Sequence, residues 1–166
     1  METKQLRVYD RSRTEKDWQC QRARYWAYEY DSTGVTSSTT SLDLFLGTTV
    51  HDSLAAIAAQ YVTGQVDIDA IAAAAQQQMY TSVMTQSAGE SDYEAIQFAS
   101  EQAALVEGLV RGFYRHVWPQ VLAQYPTVVA IEKEMEYEHD GLLFMSRPDL
   151  IMADVEGNLV YWEWKT

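Results

Sequence analysis

Cysteine is almost missing from this 166-residue chain, with Cys20 standing alone. One thiol excludes an internal disulfide framework and any all-cysteine metal site built from this chain. Positive charge is scarce too. Twelve Lys and Arg stand against 24 Asp and Glu, a formal net charge of −12, which argues against a generic polyanion binder. Long hydrophobic runs are absent. No stretch approaches the roughly 18 apolar residues of a membrane span, and Met1-Glu2-Thr3-Lys4 lacks an apolar signal region. The chain therefore reads as cytoplasmic, with no membrane partner.

What is present describes an ordinary domain. A hydrophobic fraction of 47% and a charged fraction of 22% exclude wholesale disorder and collagen-like structure, and the length suits one domain over 1–166 with a real core. The charge is unevenly spread. Residues 1–24 hold seven bases (Lys4, Arg7, Arg11, Arg13, Lys16, Arg22, Arg24) against four acids, leaving five bases and twenty acids for the other 142 residues. A phosphate backbone would be met first by the N-terminal segment, where Arg11, Arg13, Arg22 and Arg24 are the candidate contacts. A solvated basic helix face explains the same charges equally well.

Periodicity sketches the elements. Residues 14–30 read as a helix opened by Thr14 or Ser12, with Trp18, Arg22, Tyr25 and Trp26 recurring at intervals of three and four as an inward stripe. The polar run 31–41 reads as a connector. A second helix runs from Leu42 to near Gly64, and a third, capped by Asp67 or Asp69, to about Gln86. The Ser91/Glu94 pattern opens a long helix from Tyr93 to about Gln124, kinked or divided at Pro119. After Pro126 the period changes to two. Strands are expected over Thr127–Tyr137, Leu142–Ala153 and Leu159–Lys165, the first two joined at Asp140-Gly141. Helices first and an antiparallel meander last make an α/β protein in an α+β arrangement.

The strands carry the chemistry. Glu163 and Lys165 lie two apart, on one face of their strand. The short turn before Leu159 makes that strand a neighbour of Ser146-Arg147-Pro148-Asp149-Leu150-Ile151, so Asp149 and Glu163 can converge with Lys165 beside them. Two carboxylates over a hairpin suit Mg²⁺ or Mn²⁺, and a lysine alongside can position or deprotonate water and stabilise charge on a phosphate. Glu-x-Lys alone is most often a solvated strand face. Here the apolar neighbours Ile151, Val160, Trp162 and Trp164 make a free carboxylate costly unless it is paired or metal-bound.

Pro148-Asp149, thirteen residues, then Glu163-Trp164-Lys165 resembles the signature of the PD-(D/E)XK nucleases. Arg147 and Leu150-Ile151 resemble the surroundings of that signature in the RecB-like, CRISPR-associated-exonuclease-like branch. Gly47-Thr48-Thr49-Val50-His51 is similar to that branch's G-x-x-x-H motif, and Cys20-Gln21-Arg22-Ala23-Arg24-Tyr25 resembles its opening helix, with Gln21 where proline is usual. The resemblance spans 12–166. It implies a restriction-endonuclease-like core, with N-terminal helices packed on a mixed central sheet. The helical part would cover 1–125 and a catalytic meander 126–166.

The resemblance also implies roles. Asp149, Glu163, the Trp164 carbonyl and His51 would hold the metal; Lys165 would act on the nucleophilic water; Glu132 would add a further acid, with Glu134 its rival. His116 and His139 match nothing in the pattern. Without the resemblance, His51 reads as readily as a capping or core histidine. An iron–sulfur cluster is not possible from this chain alone, since Cys20 supplies one of four thiolates. Because the family continues beyond the lysine, the chain is expected to be truncated after the catalytic strand. The implied activity is metal-dependent hydrolysis of DNA, exonuclease-like, in repair, recombination or phage DNA processing, in the cytoplasm of a prokaryotic or phage-infected cell. The alternative is an inactive scaffold or binding subunit of the same fold. A protein partner or homo-oligomer stays open.

Overall fold

Ser41 accepts a hydrogen bond from the Leu44 N–H, and the chain enters a 22-residue helix that stops where Gly64 turns left-handed at φ 93°. In this helix a short polar side chain satisfies a first orphan amide and glycine relieves the last turn. A computed structural model describes residues 7–30, 34, 41–87 and 93–164. It contains β1 (Arg7–Tyr9), α1 (Arg11–Gln19), α2 (Gln21–Tyr28), α3 (Leu42–Thr63) and α4 (Ile68–Gln86). Then follow α5 (Tyr93–Gly112), a π-helical turn (Phe113–Val117), α6 (Trp118–Gln124) and β2 (Thr127–Ile131). Last come β3 (Met135–His139), β4 (Leu142–Ser146), β5 (Leu150–Ala153) and β6 (Leu159–Trp162). The class is mixed α/β, as expected.

The chain divides into two compact units that interleave in sequence, one of 1–39 and 133–147, the other of 40–132 and 148–166. Neither follows the expected division into a helical 1–125 and a strand 126–166. The strands likewise form two sheets among the described residues, β1-β4-β3 and β2-β5-β6, in place of one mixed central sheet. In the first, β1 runs parallel to β4 and β3 antiparallel to it. The second is wholly antiparallel.

The expected strands 127–137 and 142–153 are each broken once. Glu132 takes φ 46°, a left-handed conformation costly for a side chain, and ends β2. On the other strand Pro148, which has no amide to donate, separates β4 from β5. In the larger unit one further bond follows the Ile131–Leu150 pair, the Glu132 N–H donating to the Asp149 carbonyl at 3.0 Å. Asp140 and Gly141, at φ 50° and 74°, make the tight turn of the β3–β4 hairpin.

In the larger unit the core gathers Leu54 and Ile57 of α3, Met79 of α4, Val106 and Val110 of α5 and Met152 of β5. The central strand β5 is buried along its whole length. Asp67 caps α4 through the Ala70 N–H. Pro119 sits in the first turn of α6, where its missing N–H costs nothing. The expected long helix is thus divided, by a π turn that begins six residues before the proline. The Ser91 cap lies outside the described residues.

In the smaller unit the expected helix 14–30 starts earlier and is two helices. Asp10 caps α1 by accepting from the Arg13 N–H at 2.8 Å, and Cys20, extended at φ −169°, separates α1 from α2. The inward aromatic stripe is also corrected. Trp18 is 87% exposed, and the buried residue of α2 is Arg24, at 3%.

Candidate functional site

Asp149 occupies the position before β5, immediately after the buried Pro148. Three backbone or side-chain partners from distant segments converge on it, all within the larger unit. Its carbonyl accepts the Glu132 N–H at 3.0 Å. Its Oδ2 accepts the Trp164 N–H at 2.6 Å, the short distance of a charge-assisted bond. Its Oδ1 lies 3.5 Å from Nδ1 of His51, with both side chains only partly buried.

Each partner is delivered by local folding. His51 projects from α3, between the buried Val50 and Leu54. Trp164 follows β6, whose ladder with β5 ends at Leu150 opposite Trp162; one further step sets position 163 against position 149. The turn that fixes this register is held by Asp154. Its carboxylate accepts from the Glu156 and Asn158 amides at 2.9 Å and from the Asn158 side chain at 2.8 Å. The Asn158 side chain, and then the turn's backbone N–H groups, hold the Asp154 carboxyl below the usual carboxylate range. Trp164 is steadied from the other direction. The π turn presents Phe113 edge-on to its indole at 5.2 Å and 81°, and Trp162 stacks on it at 6.2 Å. Such turns re-aim side chains within a helix, and here the re-aimed ring braces the residue that grips Asp149.

Glu163, just beyond β6, is exposed, and Glu132 is partly buried at its left-handed kink. Glu134 and His116 are exposed; His139, also exposed, has Nε2 3.4 Å from Asp140. Lys165 lies outside the described residues. Of the expected set, then, His51, Asp149 and the Trp164 backbone are brought together, with Glu163 and Glu132 next to them in sequence and register. Among the described residues no three His, Cys, Asp or Glu side chains gather as a metal cage. The His51–Asp149 separation nonetheless suits two donors sharing one small divalent ion. Ligands held about 2.1 Å from such an ion lie about 3 to 3.5 Å apart, and Mg²⁺ commonly takes only one or two protein carboxylates, keeping waters and substrate phosphates for the rest. The donor set fits a hydrated ion.

The N-terminal arginines fare unequally. Arg11 and Arg22 are exposed. Arg13 is partly buried, with Nε 3.3 Å from Asp10 and its guanidinium 5.3 Å from the Tyr28 ring. Arg24 is reassigned. Its guanidinium lies 2.7 Å from Glu29 and 3.8 Å from Asp17, 5.4 Å from the Tyr9 ring, and is closed to solvent. It holds its own unit together and is no surface cation.

Residue-type reasoning overlooked the Trp164 amide and Phe113. A backbone donor leaves no mark in a motif, and the only hint of Phe113 was the aromatic-rich run before Pro119. No helix among the described residues is long and apolar enough to cross a membrane. No protein-family model, curated protein or solved structure matches this chain.

Proposed function

We propose that the chain is a divalent-metal-dependent DNA nuclease with a PD-(D/E)XK-like, restriction-endonuclease-like core. One observation carries the reading. The histidine of Gly47-x-x-x-His51 reaches the aspartate of Pro148-Asp149 at 3.5 Å, from an element nearly a hundred residues away in sequence. Asp149, His51, Glu163 and the Trp164 carbonyl would hold Mg²⁺ or Mn²⁺, which when bound supplies Lewis-acid polarisation of a phosphate and a low-pKa water. The chain's own groups do the rest. Asp149 is oriented by the Trp164 N–H, so its free lone pairs are aimed before substrate arrives. Lys165 orients the attacking water and offsets charge on the phosphate, Glu132 adds negative potential at the kink, and Arg11, Arg13 and Arg22 hold the backbone of the strand.

The test is cleavage of linear and circular, single- and double-stranded DNA in Mn²⁺, Mg²⁺ or EDTA. Cutting is expected with metal only, and Asp149→Asn, Glu163→Gln and Lys165→Ala should each lower the rate by at least about a hundredfold while the circular dichroism spectrum stays unchanged. Wild-type rates in Lys165→Ala would overturn the assigned mechanism.

A second reading has its own support: both Asp149 oxygens already have partners inside the protein, as in a structural clasp of an inactive scaffold or binding subunit. Under that reading Asp149→Ala lowers the melting temperature in EDTA, and Mn²⁺ moves neither protein. Under the nuclease reading Mn²⁺ raises the melting temperature of wild type alone.

A further inference from the structure

Three aromatic rings at the end of α2 are packed on one another and left open to solvent. Trp26 and Tyr30 lie 4.7 Å apart and tilted at 38°, while Tyr25 meets both edge-on at 5.6 and 6.5 Å. Even so, the three remain 47%, 43% and 43% exposed in chain order. A fold that wanted these rings only for packing would cover them, and exposed contiguous apolar patches of this kind mark binding surfaces. Arg22 stands one turn earlier on the same face as Tyr25 and Trp26. It is exposed, as is Lys16 of α1, and neither side chain makes an ion pair or hydrogen bond among the described residues. Glu29, the acid that spacing puts on this face, is 2.7 Å from the buried Arg24, which offsets part of its charge.

Exposed rings beside Arg22, in the one positive stretch of an otherwise acidic chain, call for a ligand that is anionic and has flat apolar faces. Unpaired bases on a phosphate backbone answer both demands. A duplex hides its base faces, whereas every single-stranded base offers one to an aromatic side chain regardless of sequence. We propose that Tyr25, Trp26 and Tyr30, with Arg22 beside them, form a stacking platform for single-stranded nucleic acid. The platform gives the proposed nuclease its substrate class and rests on that reading for this consequence alone. Binding itself needs no metal.

The experiment uses the full chain in EDTA, with fluorescence anisotropy on three labelled probes of about 20 nucleotides. These are an oligothymidylate, a matched duplex, and an abasic strand that keeps the phosphates without the bases. Wild type should prefer the oligothymidylate. Trp26→Ala should weaken that complex about tenfold and change abasic binding less than twofold, with Trp26→Phe restoring most of the loss. Arg22→Gln should weaken both single strands alike and lower the salt slope by about 0.7. Undiminished oligothymidylate binding in Trp26→Ala and in the Tyr25→Ala/Tyr30→Ala double variant overturns the platform, as does an equal loss on the abasic strand. Light scattering that shows a dimer abolished by Trp26→Ala, with oligonucleotide binding intact, also overturns it and gives the rings to a second copy of this chain. Cleavage in Mn²⁺ is scored separately. A wild type that binds the oligothymidylate yet never cuts DNA sinks the nuclease reading and leaves the platform standing. One that cuts DNA, with no loss of single-strand binding or cutting in Trp26→Ala, does the reverse.

Discussion

Among the described residues of the unit formed by 1–39 and 133–147, the one buried side chain is a charged one, Arg24. The unit formed by 40–132 and 148–166 buries an apolar set running from Val50 to Ala153. The two therefore owe their folds to different terms. In the larger unit, each fully buried Val, Leu, Ile or Met side chain contributes about 1.5–3 kcal/mol of area removed from water, and many act together. In the smaller one, a guanidinium is desolvated and regains that cost through Glu29, Asp17 and the face of Tyr9. Buried ion pairs of this sort specify geometry more surely than they stabilise it. The contrast bears on the proposals, since the residues proposed to hold a metal belong to the apolar unit and the proposed aromatic platform to the ionic one.

The comparison breaks first, and hardest, at the apolar core. Met79 is fully buried between helices, so Met79→Ala should lower unfolding free energy by about 2–5 kcal/mol. Urea denaturation measures it, and a cost below about 1 kcal/mol would mean that this core is loose and the contrast overstated.

Arg24→Met sharpens the other side. It keeps an unbranched apolar stem but loses the guanidinium, stranding Glu29 and Asp17, whose side chains are 40% and 27% exposed. Because water reaches both, the loss should fall below the 3–5 kcal/mol of a fully buried broken pair, at about 1–3 kcal/mol. Hydrogen exchange should show protection falling over 11–28 while α3, α4 and α5 keep theirs. A loss spread equally through Val50–Val83 would show that the two units unfold as one.

What could be read from the residues alone follows the same division. The limits of α3 and the start of α4 were legible, from the end of the polar connector, from Gly64 and from the pair Asp67 or Asp69, and Asp140-Gly141 announced its hairpin. In the smaller unit the spacing misled. Trp18, Tyr25 and Trp26 recur at helical intervals, and the usual rule turns the aromatic side inward, whereas here an arginine with acids within reach took the inside. Spacing reports that a helix has two faces; it cannot say which is buried when the competitor is a satisfied charge. The strand breaks escaped for a related reason. Glu132 fits a β pattern, and only its φ of 46° reveals the kink. At the site, His51, Asp149 and Glu163 were legible as side chains of the right type and order. The Trp164 N–H that orients Asp149 was not, because every residue but proline carries one.

The smallest expected effect separates the units by pH. Asp154 is only partly covered, yet the Asn158 side chain and the N–H groups of its turn hold its carboxyl below the ordinary range. A depressed folded pKa means that the ionised form is preferred in the folded state. Its contribution is therefore complete above the unfolded carboxylate pKa of about 3.9 and disappears as pH falls through the lower folded value. Asp154→Ala should accordingly melt slightly below wild type from about pH 7 down to about pH 5, and the gap should close as the pH drops below about 4. Arg111, whose pKa is raised by hydrogen bonds to Asp69 and then Glu107, stays charged throughout that window and cannot produce the same profile. The change should register in hydrogen exchange at β5 and β6, which the Asp154 turn joins, and leave the β3–β4 hairpin of the smaller unit untouched. If the gap between wild type and Asp154→Ala persists undiminished at about pH 2, the residue shapes the turn without its charge. The register that sets position 163 against position 149 would then rest on turn conformation alone.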